Sequence, residues 1–118
     1  MNGGKKRRMS ERIQTISIKG DSEFICVTVE AIKGPMRAVD NVELAKFVPA
    51  DLKKAVLDGI QWVLATEKAK YTVRVNDIDW NPEESNAIIA RQAAVRATRL
   101  VIPGPVEQLL KGLNNDID

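Results

Sequence analysis

The sequence contains no histidine, one cysteine, one tyrosine, two tryptophans and two phenylalanines in 118 residues. Without histidine, the commonest general base and the commonest zinc ligand are gone. A single cysteine, Cys26, allows neither an intramolecular disulfide nor a thiolate metal site. No apolar run approaches the roughly 18 residues of a membrane span. The basic N-terminus leads into Ser10, Glu11 and Arg12, not into the apolar core of a signal peptide. The expectation is therefore a cytoplasmic protein with no membrane partner. No Gly-rich loop ends in Lys-Ser or Lys-Thr. Gly3-Gly4-Lys5-Lys6 has a superficial likeness to a phosphate loop, but it follows no strand and opens no helix. Nothing in the sequence calls for a cofactor. The net charge of +2 is too small to indicate nucleic-acid binding by itself.

What is present fits one globular domain. The apolar fraction of 44% and charged fraction of 29% are those of a folded chain. The length suits one core built from two layers of secondary structure. The strongest signal lies between Val48 and Asp79. Leu52, Ala55, Val56, Gly59, Ile60 and Val63 recur at helical spacing, which predicts a helix from Pro49 to about Glu67. Pro49 suits its first turn, where a missing N–H costs nothing. From Tyr71 the period changes: Tyr71, Val73 and Val75 alternate with polar residues, as in a half-buried strand to about Asp79.

Upstream, Arg12–Ile18 and Phe24–Ile32 predict two strands joined by the turn Lys19-Gly20-Asp21-Ser22, hence an antiparallel hairpin. In Ala38–Phe47, Val39, Val42, Leu44 and Phe47 could lie on a third strand or in a loop, and a short strand is favoured. Downstream, Asn81, Pro82 and Glu84 have the spacing of an N-cap, a first helical residue and a capping-box partner. They predict a second helix from there to about Leu100, with Glu83 and Glu84 at the positive end of its dipole. Its alanines, Ala87, Ala90, Ala93, Ala94 and Ala97, permit close packing. Ile88, Val95 and Leu100 add bulk, and Arg91, Arg96 and Arg99 give a basic outer side. Pro103-Gly104-Pro105 must end that helix. The expected organisation is a flexible basic tail (1–10), one α+β domain (11–105), and a short helix with a frayed tail (106–118). The fold class expected is α+β: a two-layer α/β sandwich with a three- or four-stranded sheet and two helices on one face.

Several residues admit a chemical reading beside a structural one. Asp77, Asp79, Glu83 and Glu84 could hold Mg²⁺ or Ca²⁺, or be a polar strand end followed by helix-cap residues. Ser17, Ser22 and Ser85 offer a hydroxyl for a Ser–Lys dyad, but nothing marks a pair. Cys26 is expected as a small buried apolar residue. Trp62 and Trp80 could stack on bases or pack at the core edge. Lys5, Lys6, Arg7 and Arg8 form a basic run that reads as a phosphate-binding arm or a solvated terminus.

The stretch Phe47-Val48-Pro49-Ala50-Asp51-Leu52-Lys53-Lys54-Ala55-Val56-Leu57-Asp58-Gly59-Ile60-Gln61 resembles domain IV of elongation factor G. There, an "I-P-x-x-Y-I-x-A-V-x-x-G-I-x-E-A" helix follows a strand. Val48-Pro49, Ala55-Val56 and Gly59-Ile60-Gln61 match in order and spacing. Tyr71, Val73 and Val75 stand where the family has a "G-Y-P-V-x-D-V-x-V" strand, and Phe24–Ala31 is similar to its "G-H-V-x-I-x-V-E-P" strand. The resemblance covers roughly Glu23 to Pro105. It implies a βαβ unit with a left-handed crossover, in the fold shared with the second domain of small-subunit ribosomal protein five, and a non-catalytic module that works on the ribosome. Two loops depart from the family. The glycine-rich loop shrinks to Lys19-Gly20-Asp21-Ser22, and Trp80-Asn81-Pro82-Glu83-Glu84-Ser85 replaces the "H-D-V-D-S-S" tip. A translocase role is not expected.

Three functions stay open at this point. One is an RNA- or ribosome-binding domain using Lys5, Lys6, Arg7, Arg8, Lys53, Lys54, Arg91, Arg96 and Arg99 on phosphates, without DNA specificity. Another is a protein–protein module or homo-oligomer. The last is a small enzyme, since relatives of the fold class include small-molecule kinases and Ser–Lys proteases. Binding is favoured over catalysis.

Overall fold

The computed structural model describes residues 12–102. The basic run Lys5–Arg8, the 1–10 tail and the short helix expected over 106–118 lie outside the described residues. Six elements follow in order: β1 (Arg12–Lys19), β2 (Phe24–Lys33), β3 (Arg37–Asp40), α1 (Ala50–Glu67), β4 (Tyr71–Trp80) and α2 (Ala87–Val101). The fold is α+β, one four-stranded sheet in the order β1-β2-β4-β3 with both helices on one face. β1 and β2 form the expected antiparallel hairpin, with Ile16 opposite Val27. β4 is antiparallel to β2, while β3 and β4 are adjacent and parallel with α1 between them in sequence. α2 lies across β1 and β2, and α1 across β3 and β4. Among the described residues, no helix is long and apolar enough to cross a membrane.

The strand pattern dictates which side meets the helices. Ile25, Val27, Val29 and Ala31 of β2 are completely buried, and Ile16 and Ile18 of β1 pack beside them. In β4 the core-facing residues are Val73 and Val75, then Ile78, so the phase slips by one. A β-bulge explains the slip. Val75 faces Val29 and Asp77 faces Thr28, which leaves Asn76 as the extra residue.

The intervening β2 residues face the opposite, open side. Cys26 is among them, which corrects the expectation of a buried thiol. It is half-buried, and its Sγ accepts a hydrogen bond from Ser17 Oγ at 3.0 Å. Thr15 and Thr28 pair hydroxyls at 2.9 Å on the same side. There Glu30 Oε1 accepts from Asn76 Nδ2 at 3.1 Å, with Arg74 Nη1 at 3.8 Å.

α1 lies where its periodicity puts it. Leu52, Val56, Gly59, Ile60, Val63 and Leu64 are buried, whereas Ala55 is only half-buried. Pro49 precedes the first turn, and its carbonyl accepts from the Leu52 and Lys53 N–H groups. At the other end the Ala69 N–H returns to Leu64 O at 3.0 Å across Lys68, which is left-handed at φ 51°.

Two expectations need correction. The third strand stops at Asp40, and the segment 41–49 is a loop. It covers the second half of β4 with an Asn41 N–H bond to Val75 O at 2.9 Å and a Lys46–Asp77 ion pair at 2.7 Å. The second helix starts at Ala87, and Asn86 is its N-cap, accepting from Ile89 N–H at 3.1 Å. Asn81 instead closes a separate turn, its Oδ1 accepting from the Glu83 and Glu84 N–H groups at 2.8 and 3.2 Å. That turn is sewn to the start of β2, since Phe24 N–H donates to Glu84 O at 2.9 Å and Ser85 Oγ donates to Phe24 O. A tertiary attachment thus takes over the first of two possible caps. The bulk of α2 also differs: Ile89 and Val101 are buried, while Ile88 and Leu100 are exposed at 71% and 50%.

Candidate nucleic-acid interface

The two helices run alongside each other, and their closest approach is set by Gly59. A Cβ there would lie 3.0 Å from Arg91 O and 3.4 Å from the Ala94 Cβ. Small residues on both sides therefore let the backbones approach, and this carries the long side chains of α2 onto the outer side of α1. Trp62, one turn after Gly59, is 45% exposed there. The Arg91 and Arg99 guanidinium carbons lie 5.6 and 5.5 Å from its ring centroid, within cation–π range. Arg91, Val95 and Arg99 recur every four residues along the side of α2 next to Trp62. Ile88, Gln92 and Arg96 form a second such row, and these residues with Trp62 line one hollow of about 480 Å³. A further hollow of about 400 Å³ shares Ile88 and Arg91 and continues past Ala55 to Asp51, Lys54 and Asp58. The result is an open groove with an aromatic floor and three arginines. Glu67 Oε2, 3.4 Å from Arg99 Nε, partly offsets one of them.

The structure brings Arg91, Arg96 and Arg99 together and separates the other candidates. Lys54 is at the far end of the groove, paired with Asp58 at 2.7 Å. Lys53 turns toward β3 and binds Asp40 Oδ2 at 2.9 Å. Partial burial pushes the Asp40 carboxyl up. The Lys53 hydrogen bond, the Val42 N–H and the Lys53 charge outweigh that and hold its pKa below the ordinary aspartate value.

Trp80, Asp77, Ser85 and Ser17 have structural partners instead. Trp80 is half-buried, its Nε1–H donates to Phe47 O at 3.0 Å, and its ring meets Phe47 edge-on at 6.0 Å. Asp77 holds Lys46. Among the described residues, no three His, Cys, Asp or Glu side chains converge as a metal site would require, and Asp77, Asp79, Glu83 and Glu84 are no exception. Ser85 joins its turn to β2, its Oγ accepting from Asn81 N–H at 2.8 Å, and Ser17 binds Cys26. Sequence reasoning missed the convergence on Trp62, because it depends on how α1 and α2 pair. The signal present was only the four-residue repeat of Arg91, Val95 and Arg99.

No family model matches the chain, and no curated protein matches it. Among 39 solved chains that match is a crystal structure from Thermus thermophilus, at a TM-score of 0.58 and 10% identity. That match covers 78% of this chain and 15% of the Thermus chain. At such low identity the likeness shows the fold alone, and the fold recurs there as a small part of a far longer protein.

Proposed function

We propose that this chain is a non-catalytic binding module of the elongation factor G domain IV kind that holds RNA along the groove between α1 and α2. The observation that carries the reading is the pair of guanidinium groups at 5.6 and 5.5 Å from the exposed Trp62 ring, with Arg96 on the same hollow. An exposed ring gives a base a stacking platform that contributes about 1–3 kcal/mol without regard to its identity. Arginines beside it supply phosphate contacts, whose strength falls with salt as counterions are released. In this reading one guanidinium moves off the ring to a phosphate, and a base takes its place. Support from the fold is independent of the groove. The adjacent parallel strands β3 and β4, with α1 between them in sequence, agree with the βαβ unit that the resemblance implies.

The test is binding of the purified chain to structured RNA and to ribosomal particles at low and at moderate salt. An Arg91→Gln/Arg99→Gln variant and a variant lacking residues 5–8 are measured alongside. Saturable binding is expected. Loss of the two arginines should weaken it and reduce the salt slope by about 1–2. Absence of binding at low salt, or equal binding by the double variant, would rule the groove out.

A further inference from the structure

The groove between α1 and α2 is basic only in its middle. At one end, the hollow that holds Ile88 and Arg91 also has Asp51 and Asp58 in its wall, with Lys54 pairing to Asp58 at 2.7 Å. At the other end, Glu67 Oε2 lies 3.4 Å from Arg99 Nε. Arg91, Arg96 and Arg99 stand between these carboxylates. A helix rises about 1.5 Å per residue, so Arg91 and Arg99 are about 12 Å apart along its axis. A stacked nucleic-acid strand carries one phosphate about every 3.4 Å of axis. The basic stretch therefore spans about three or four phosphates of a stacked strand, and fewer of an extended one. A longer strand laid along the groove would bring its phosphates against carboxylates at both ends.

The stacking platform is equally limited. Trp62 is the one aromatic side chain among the residues that line the two hollows. Its ring is 45% exposed and already has two guanidinium groups beside it, at 5.6 and 5.5 Å. It has room for one base. A base inside a duplex is covered on both faces by its neighbours, so only an unpaired and unstacked base can lie on such a ring. We infer, on the reading of this groove as an RNA site, that its ligand is a single unpaired nucleotide with its flanking phosphates, as a bulge or a loop presents it. Neither a continuous duplex nor a long single strand threaded along the helices fits. The unpaired base lies on Trp62, Arg91 and Arg99 take the phosphates on either side of it, and the flanking RNA leaves the groove before it meets Asp51 or Glu67.

The experiment measures binding of the full chain at low salt, by anisotropy of an end label, to three RNAs with identical stems and ends. One is fully paired, one carries a single bulged nucleotide, and one carries a bulge of six. The basic run 5–8 has the same stem phosphates available in each, so differences among the three report on the groove. The single bulge should bind about tenfold tighter than the paired duplex, the gain of one stacked base. The longer bulge should bind no more than about threefold tighter than the single one, since there is one platform. Trp62→Ala, checked by its thermal melt, should erase the preference for a bulge and leave the duplex binding in place. The comparison on the wild type stands without the variant. Equal binding of the paired and singly bulged duplexes, or a strong preference for the longer bulge, would overturn the inference while the RNA reading of the groove survives. A bulge preference that persists in folded Trp62→Ala would move the contact off the ring and overturn it as well. Binding of none of the three would sink the RNA reading itself, and the inference with it.

Discussion

α1 and α2 cover the same sheet by opposite means. α1 fills its side of the core with Leu52, Val56, Ile60, Val63 and Leu64, whereas α2 presents Ala90, Ala93, Ala94 and Ala97, with Ile89 and Val101 near its ends. A fully buried Leu, Ile or Val side chain contributes about 1.5–3 kcal/mol, and a methyl group far less. α1 therefore stabilises by the area it buries, and α2 by proximity. Proximity has a consequence for the surface as well: it is why Arg91 and Arg99 reach Trp62 at all. The groove on the outside follows from the small residues on the inside.

This contrast predicts opposite sensitivities. The largest effect belongs to α1. Ile60→Asp puts an unpaired charge at a site with no exposure and should unfold the domain, a loss of several kcal/mol or more seen as absent cooperative melting. In α2 the harmful change is enlargement. Ala94→Leu has no room beside Gly59 and should cost about 1–3 kcal/mol in chemical denaturation, together with a changed Trp62 emission as the helices separate. If Ala94→Leu is tolerated with the groove unchanged, close packing does not set the groove. Asn86→Ala removes the N-cap of α2 and should cost about 1 kcal/mol.

A smaller effect concerns acid. The Asp40 carboxyl has a lowered pKa in the folded chain, so its contribution is complete above the unfolded value near 4 and is lost as pH falls through the folded value. Asp40→Asn should lower the melting temperature slightly at neutral pH. It should also flatten the decline below about pH 4. A wild-type decline no steeper than that of the variant would contradict this assignment.

Local pattern was enough for much of the architecture. The β1–β2 hairpin, α1 and β4 follow from alternation, helical period and the turn at Gly20, each a property of neighbouring residues. The failures occur where distant parts of the chain compete for the same groups. Asn81 has the right spacing for a cap, but the attachment of its turn to Phe24 gives that task to Asn86. Val42, Leu44 and Phe47 look like a strand. β3 nevertheless stops at Asp40, and the loop covers the rest of β4 by the Lys46–Asp77 ion pair and by the Trp80 indole donating to Phe47 O. The bulge at Asn76 was visible only as two adjacent polar residues, Asn76 and Asp77. For the site, Arg91, Arg96 and Arg99 were readable as one basic side of a helix. Trp62 as their common neighbour was not, because no pattern within a single helix specifies which turn of another helix will face it.

The most direct test of the proposed RNA groove is Trp62 itself. Wild type and Trp62→Ala would each be titrated at low salt against an end-labelled single-stranded oligoribonucleotide, with intrinsic tryptophan fluorescence reporting on the ring and anisotropy of the label reporting on affinity. Saturable quenching is expected in the wild type. In the variant little change is expected in the remaining Trp80 emission, and the anisotropy should show affinity weaker by about tenfold, the loss of one stacked base. Equal affinity in Trp62→Ala, or binding by the wild type with no quenching, would contradict the proposal.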